Sequence, residues 1–347
     1  MESSGLLVVA LFGVIACSAQ PSTGVGVLPS DAGAAGAESG GTSGDAGASG
    51  SALGGTEAGG TSSGGAAGSC GVLAAPIAWP AWPMPNPVHS GLPNPMSYAV
   101  SASGNQVTDK VTGLIWQRQL ETTEFAWADA KQYCSCLMVD GVGGWRLPSR
   151  IELTSLADWT ALHPSIDVIA FPNTPSEAFW SSSVLENGDP DLAWHVDFDS
   201  SHTSYTDKLY AHRARCVRGA EDSPANAPPA RYTVANGTVK DTQTKLTWEQ
   251  AVSPASYTWA DAATYCAGLS LDGAGWRVPA IGELQTIVDE STNPAADATA
   301  FPMTPSEYFW SSSAVVDDPS RAWDTFFANG STYSFAMTMS KSVRCVR

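Results

Sequence analysis

Basic residues are scarce in this chain of 347 residues. Seventeen lysines and arginines stand against 34 aspartates and glutamates, which gives a formal net charge of −17 at pH 7. No cluster of lysine or arginine offsets this excess locally. Such a balance repels nucleic-acid phosphates and anionic lipid headgroups, so nucleic acid is not an expected partner. The 13 tryptophans favour compact folded modules over a disordered acidic chain.

Long apolar runs are also lacking. The one run present, residues 6–16, is too short to span a bilayer as a helix and predicts a signal peptide over residues 1–17. It ends in Val14-Ile15-Ala16-Cys17, which is similar to a bacterial lipobox, so Cys17 is the predicted lipidation site. Residues 1–5 contain Glu2 and no Lys or Arg, and an ordinary cleaved signal peptide is therefore the alternative. Either reading predicts export, and the lipobox predicts an outer-membrane or cell-surface lipoprotein attached to the membrane by its lipid alone.

Residues 18–74 have almost no large apolar side chains and consist mostly of Gly, Ala, Ser and Thr. Such a segment cannot offset the entropy of ordering, so it is predicted to be a disordered tether that spans roughly 40 Å. The proline-rich segment 75–97 follows and is expected to be stiff and extended. Its Trp79 and Trp82 are expected to lie against the first folded domain, with a peptide-docking role as the alternative.

An internal repeat organises the rest of the chain. The recurring segments are 107–116 and 239–248, 127–134 and 259–266, 145–153 and 276–284, 171–183 and 301–313, 193–194 and 322–323, and 215–218 and 344–347. The offset falls from 132 to 129 residues, so the copies differ by single-residue insertions or deletions. A period near 130 residues is too long for a solenoid unit and indicates duplication of a whole domain. We therefore predict domains at 98–218 and 231–347, joined by a linker at 219–230.

Each copy is predicted to be α+β. Apolar residues of the first copy fall at helical spacing over 127–137, and Ser149 with Glu152 forms a capping box for a second helix. The second copy has Ala280 at the capping position, so that helix should begin less firmly by about 1 kcal/mol. Strands are predicted in the second half of each copy, at 179–184, 194–198, 214–218 and 324–327, the last turning at Asn329-Gly330.

The repeated motifs closely resemble the Lcl C-terminal domain family, also called DUF1566. They are T-G-L-x-W at 112–116, W-x-x-A-x-x-Y-C at 127–134, W-R-L-P at 145–148, W-S-S at 180–182 and R-C-V-R at 215–218. The resemblance implies two tandem exported domains, and at a greater distance it implies a fold similar to C-type-lectin-like and formylglycine-generating-enzyme (FGE-like) domains. The best-known member is an adhesin for sulfated glycosaminoglycans. That ligand requires a basic surface, which this acidic chain does not offer.

Six cysteines remain after Cys17, and they allow fifteen pairings. The repeat selects Cys134 with Cys216 and Cys266 with Cys345, and each bridge should contribute roughly 4 kcal/mol by closing a loop of about 80 residues. The remaining two, Cys70 and Cys136, have no counterpart in the second copy, and a third bridge between them is left open. A metal site would need His or acidic residues beside these thiols, and the spacing Cys134-Ser135-Cys136 matches no zinc pattern, so no metal site is predicted.

The shared polar motifs are expected to be structural, and no catalytic residue is predicted. Arg146 and Arg277 should pair with acids such as Glu152 and Glu283 or cap backbone carbonyls, since arginine tolerates partial burial. The repeated serines of the W-S-S motif lack a repeated histidine partner, which argues against a serine nucleophile. The histidines of the domains all lie in the first copy: His163, His195, His202 and His212.

Binding residues are instead expected where the copies differ, because loops on a rigid scaffold are where binding evolves. The segments that follow the W-S-S strands supply the candidates Asp189, Asp191, Trp194, Asp317, Asp318, Arg321 and Trp323. The carboxylates could hold Ca²⁺, although a solvated turn is favoured because no calcium-loop pattern is present. The two tryptophans could stack on a sugar, and a place in the core is favoured. No other cofactor is expected.

These observations favour a surface binding or adhesion module whose ligand is a carbohydrate or a partner protein. The first alternative is an enzyme of the formylglycine-generating, sulfatase-modifying type. Such chemistry would use a pair of cysteines late in the domain, where each copy has only Cys216 or Cys345. The second alternative is a structural spacer of the cell envelope.

Overall fold

The computed structural model describes residues 79–185, 188–219 and 230–347. The predictions for the signal peptide, Cys17, the tether and Cys70 lie outside the described residues, and so does most of the linker. In the described part of the chain no helix is long and apolar enough to cross a membrane.

Each copy begins with a small antiparallel meander that the sequence analysis missed. In the first copy its strands are β1 (Tyr98–Val100), β2 (Gln106–Asp109) and β3 (Ile115–Gln117). The end of the first copy returns to this sheet and adds β7 (Val217–Arg218) beside β3. β7 is shorter than the strand predicted at 214–218. In the second copy the meander is β8 (Tyr232–Ala235), β9 (Thr238–Asp241) and β10 (Thr247–Glu249).

The two helices of each copy confirm the helical predictions. They are α1 (Trp127–Cys136) and α2 (Arg150–Thr154) in the first copy, and α3 (Trp259–Ala267) and α4 (Ile281–Gln285) in the second. At the start of α2 the Ser149 hydroxyl accepts the Glu152 N–H, and the Glu152 carboxylate accepts the Ser149 N–H. At the start of α4 only the second half of this box is present, because Ala280 has no side-chain acceptor and only its N–H is bound, by Glu283.

A second antiparallel sheet of three strands follows the helices in each copy. In the first copy it consists of β4 (Ala178–Val184), β5 (Leu192–Asp197) and β6 (His202–Asp207). In the second it consists of β11 (Tyr308–Ala314), β12 (Arg321–Phe326) and β13 (Thr332–Ala336). Gly330, with φ of +93°, closes the turn between β12 and β13 by donating to Phe326. Four helices and several small sheets therefore make two tandem α+β domains.

Two bridges confirm the predicted pairing of cysteines. The Cα atoms are 5.3 Å apart in Cys134–Cys216 and 5.5 Å apart in Cys266–Cys345. Each bridge ties the first helix of its copy to the C-terminal segment of that copy and sits beside two buried tryptophans, Trp145 and Trp180 in the first copy. The pairing of Cys136 with Cys70 stays a prediction, since Cys70 is not described.

The predicted arginine pairs are also confirmed. Nη1 and Nη2 of Arg146 each donate to a carboxylate oxygen of Glu152 at 2.6 Å, and those of Arg277 donate to Glu283 at the same distances. The glutamate also accepts a backbone N–H at the start of the following helix. One carboxylate thus fixes both the W-R-L-P turn and the helix that follows it.

The two copies face each other through equivalent elements. At one end of the interface Arg150 of α2 donates to Gln285 and pairs with Glu290, with Nε to Oε1 at 2.5 Å. At the other end Ile281 packs in a buried cluster with Trp159, and Trp159 meets Trp323 edge to face with ring centroids 5.1 Å apart. A hydrogen bond of 2.8 Å from the Thr203 N–H to the Thr332 hydroxyl links β6 to β13.

The proline-rich segment corrects two expectations. Trp82 joins the core of the first domain as predicted, but Trp79 lies under the guanidinium of Arg231, which belongs to the second domain, at 5.1 Å. The segment also folds back on itself, because the Asn86 N–H donates to Asn94 and the Met96 N–H donates to Asn86. From residue 79 onward the segment is therefore a folded-back loop in contact with both domains, and the prediction of a stiff, extended segment was wrong there.

Candidate functional site

The copies share their buried motifs, so a function that one copy has alone should lie where they differ. The structure places the differences in two regions. One is the end of the three-stranded sheet at which the loop before β5 or β12 meets the turn after β6 or β13. The other is a buried pair of side chains between the sheet and the segment that follows β6 or β13.

In the acidic loops, two of the candidate aspartates use their carboxylates to accept hydrogen bonds from their own turns. Asp189 accepts the N–H of Asp191 at 3.0 Å, and Asp318 accepts the N–H of Ser320 at 3.1 Å together with its hydroxyl at 2.5 Å. The hydrogen bonds from Ser320 hold the pKa of Asp318 below its usual value. Asp189 and Asp318 are therefore equivalent residues that form the same turn. Throughout the described ranges no three His, Cys, Asp or Glu side chains gather as a metal site would require.

Three of the other candidate residues have structural roles, as a hydrogen-bond donor or as buried packing residues. Arg321 donates to the backbone and the hydroxyl of Ser334 on the neighbouring strand. Trp194 is fully buried, and Trp323 is buried against Trp159 between the copies. Neither tryptophan offers a face to a sugar, because packing covers both rings. Asp317 and Asp191 remain exposed.

A turn that the sequence analysis missed forms the most exposed part of this end. Lys208, Leu209 and Tyr210 follow β6, and Leu209 and Tyr210 are 85% and 63% exposed. The Lys208 N–H donates to Asp191 at 2.8 Å, and the Lys208 carbonyl accepts the N–H of Trp127 at 3.0 Å. The turn is thus tied to the acidic loop on one side and to the start of α1 on the other. We call residues 188–191 and 207–211, with Trp127 and Lys131, the loop surface.

Cationic groups cover the tryptophan of the loop surface. The ammonium groups of Lys131 and Lys208 lie 4.3 and 4.8 Å from the ring centroid of Trp127. Burial, and then the charge of Lys208, lower the pKa of Lys131. The Trp127 ring N–H donates to the carbonyl of Ser181 at 2.7 Å, which fixes the ring against β4. The loop surface therefore presents an exposed tyrosine and leucine beside two ammonium groups held in place.

The second copy has the same backbone and different side chains here. The Trp259 N–H donates to Met337 and the Met337 N–H donates to Ser320, as their counterparts do in the first copy. Met337-Thr338-Met339 thus replaces Lys208-Leu209-Tyr210, and Ala263 replaces Lys131. Met339 is 47% exposed. The sequence signal that could have found this surface is the lysine and tyrosine at 208 and 210, with Lys131, which have no counterpart in the second copy.

The second difference is buried. In the first copy His195 pairs with Trp180 across β4 and β5, and its ring lies 4.9 Å from that of His212. The His212 ring contacts the Thr206 hydroxyl at 2.9 Å. Burial lowers the pKa of His195 to about 3, aided by His212 and His202, so this side chain is neutral at neutral pH. His163 lies apart on the surface, with Nδ1 2.5 Å from Asp199.

In the second copy a carboxylate and an ammonium replace these two rings. Asp324 pairs with Trp310 across β11 and β12. The backbone of Lys341 forms an isolated antiparallel β-bridge with Tyr257, as that of His212 does with Phe125. Lys341 Nζ lies 3.0 Å from Asp324 Oδ2. The same place in the fold therefore holds two neutral rings in one domain and an acid–amine pair in the other.

Comparison with known proteins agrees with the repeat. The sequence profile of the Lcl C-terminal domain matches the chain twice, at residues 105–218 and 237–347. No curated protein matches the chain.

Proposed function

Because the chain belongs to the Lcl C-terminal domain family through both of its copies, we propose that it is an exported surface protein whose first domain binds a carbohydrate. The loop surface is the proposed site. The single observation that carries this assignment is the turn after β6, which exposes Tyr210 two residues from Lys208, whose ammonium group shares the Trp127 ring with that of Lys131.

These groups suit the chemistry of a sugar. A tyrosine ring supplies an apolar face for the C–H groups of a pyranose, together with a hydroxyl at its edge. An ammonium group has three hydrogen-bond donors, and Lys208 has two left for sugar hydroxyls after the one that it gives to the Pro190 carbonyl. The backbone hydrogen bonds of the turn at Lys208 hold these groups in position before a ligand arrives, which lowers the entropy lost on binding.

The exposure of Leu209 favours a protein ligand as the second candidate, because exposed apolar side chains are typical of protein interfaces. A catalytic role has less support. The hydroxyls of Ser181 and Ser311 donate to the carbonyls of Trp194 and Trp323 at 2.8 and 2.7 Å, inside the sheet. The late cysteines are bonded in the two bridges, so neither is a thiol available for formylglycine-type chemistry.

Two further parts of the proposal rest on the sequence. The similarity to a lipobox supports a lipid anchor at Cys17, and a distant relation to C-type-lectin-like and formylglycine-generating-enzyme domains remains our interpretation of the motif order. The anchor is tested by detergent partitioning of the mature chain. Cys17→Ala should release the protein into the aqueous phase, and unchanged partitioning of this variant would contradict the anchor.

A glycan array tests the binding role. The full chain should bind one class of glycan equally well with calcium and with a chelator, since the loop aspartates serve the turns. Tyr210→Ala should reduce the signal at least tenfold, and Met339→Ala, at the equivalent place in the second copy, is the matched control that should not. Absence of any glycan signal would reject the carbohydrate assignment. Loss of the signal on chelation would move the site to the carboxylates.

A further inference from the structure

The acid–amine pair of the second domain lies in the interior of the fold. Asp324 stands in the central strand β12, and its side chain is fully buried, while that of Lys341 is 5% exposed. Lys341 Nζ lies 3.0 Å from Asp324 Oδ2, and within the described chain no other group donates a hydrogen bond to this carboxyl group. A buried carboxylate is normally held by several donors, so this one is unusually bare.

Aromatic rings enclose the amine. Lys341 Nζ lies 3.5, 4.1 and 5.2 Å from the ring centroids of Phe335, Tyr308 and Trp310. These rings exclude water from the pair and hold the nitrogen against the carboxyl group. The two reacting groups are thereby fixed at contact distance, which is the arrangement that makes an otherwise slow bimolecular condensation effectively intramolecular.

The surroundings favour the uncharged forms of both groups. Burial raises the pKa of Asp324 to about 7, against the opposing effects of Lys341 and Arg321. Burial lowers the pKa of Lys341, against the opposing effect of Asp324. Both changes move the pair from carboxylate and ammonium towards carboxylic acid and free amine. The free amine is the nucleophilic form, and the neutral acid is the form that an amine attacks.

We propose that Lys341 and Asp324 join spontaneously in an isopeptide bond. The lone pair of Nζ attacks Cγ of the protonated Asp324 side chain, and an N–C bond forms. A proton passes from the nitrogen to the departing hydroxyl, the C–O bond breaks, and one water molecule leaves. No oxidant, reductant or further reactant is needed. The bond would link β12 covalently to the segment after β13 and close the hairpin between them.

The first domain cannot form this bond. Its equivalent residues are His195 and His212, which offer neither a carboxyl group nor an alkyl amine. The aromatic enclosure is also incomplete there, because Ala178 and Thr206 replace Tyr308 and Phe335. The crosslink is therefore confined to one copy, and the other copy is an internal control within the same chain.

Tryptic peptide mapping of the purified full chain tests the proposal. Trypsin cuts after Arg321, Lys341 and Arg344, and the peptide 322–344 contains no cysteine. With the bond in place the amide blocks cleavage at Lys341, so the peptide 322–344 should be recovered with a mass lower by one water. Chymotrypsin, which cuts inside the hairpin, should then give two chains still joined. Recovery of a linear peptide 322–341 of full mass would show a plain buried ion pair and overturn the proposal.

Three variants sharpen the result. Asp324→Asn should yield the same product with release of ammonia, because an amide can replace the acid as electrophile. Asp324→Ala and Lys341→Arg should both yield linear peptides cut after position 341. An Asp324→Ala chain that kept the protected, lighter peptide would contradict the assignment of the partner. If these variants fail to fold, the wild-type peptide alone decides the question.

Discussion

Arg146 and Arg277 bind equivalent glutamates with the same two hydrogen bonds, yet their side chains are 7% and 30% exposed. The geometry of the pair was therefore kept after duplication while its environment changed. Since the strength of an ion pair depends on its burial, the same motif should contribute differently to the two domains. A shared sequence motif therefore predicts a shared contact, and the burial of that contact determines how much it contributes to the stability of its domain.

The interface between the copies shows the same divergence. Arg150 and Ile281 are equivalent residues, as are Trp159 and Glu290. One end of the interface is therefore an ion pair between Arg150 and Glu290, and the other end is apolar packing of Ile281 near Trp159. In a symmetric dimer the two ends would be identical. Fusion into one chain allowed each end to change by itself, as it allowed the loop surface to differ from its counterpart.

The largest expected effect compares the two arginine pairs. Glu152→Ala leaves the buried Arg146 without a partner, so we expect the first domain to lose about 3–5 kcal/mol of unfolding free energy. Glu283→Ala should cost the second domain about half as much, because water can reach Arg277. Urea unfolding followed by hydrogen exchange in each domain measures both losses. Equal losses would show that burial does not set the strength of this contact.

A second effect separates the domains by pH. The pKa of His195 is about 3 in the folded domain and about 6.5 in an unfolded chain, so the unfolded state takes up the proton first. The first domain should therefore lose stability as the pH falls below about 6.5, by roughly 2 kcal/mol between pH 6.5 and 5. The second domain has no histidine, and the raised pKa of Asp324, about 7, acts in the opposite direction because its folded state takes up the proton first. This domain should therefore not lose stability in this window.

Hydrogen exchange at pH 7 and pH 5 measures this effect in each domain. The control is His195→Gln, which should remove most of the acid sensitivity of the first domain. Equal destabilisation of both domains by mild acid would contradict the account, and so would an unchanged response in the variant.

A third, smaller effect concerns the helix caps. Ser149→Ala should destabilise the first domain by about 1 kcal/mol, since it removes the acceptor for the Glu152 N–H. Ala280→Ser should stabilise the second domain by a similar amount, because Glu283 already supplies the other half of the box. Thermal melting of both variants tests this pair of opposite shifts. A serine at 280 that leaves the melting temperature unchanged would contradict the expectation.

The sequence predicted the parts of the fold that local pattern determines. Ser149 with Glu152, Arg146 with Glu152, and the two repeated cysteine pairs were all identified correctly because spacing and repetition select them. Three-residue strands such as β1 and β3 were missed, since they are too short to show an alternating pattern. The contact of Arg150 with Glu290 could not be predicted either, because a repeat period says nothing about how two copies pack together.

The candidate site was only partly predictable for a related reason. Asp189 and Asp191 were correctly placed in a loop, but the sequence could not show that the Asp189 side chain binds its own turn. Trp194 and Trp323 were named both as sugar platforms and as core residues, and tertiary packing decides between the two. Lys208 and Tyr210 lie in a stretch for which the sequence predicted no element, and only the fold brings Lys208 beside Trp127.

The smallest expected change in stability concerns the turn at residues 208–210, which should contribute most to ligand binding. A reciprocal exchange of the turns tests this directly. One variant carries Lys208→Met, Leu209→Thr and Tyr210→Met, and the other carries Met337→Lys, Thr338→Leu and Met339→Tyr. The first variant should melt as the wild type does, within about 0.5 kcal/mol, because exposed turn residues contribute little to stability. The second should melt lower, because Met337 packs against the buried cluster around Trp276 and Trp310. Binding of the glycan selected on the array should fall at least tenfold in the first variant and persist in the second. Undiminished binding in the first variant, together with loss of binding in a folded Trp145→Phe variant, would place the site in the shared motifs and contradict the account.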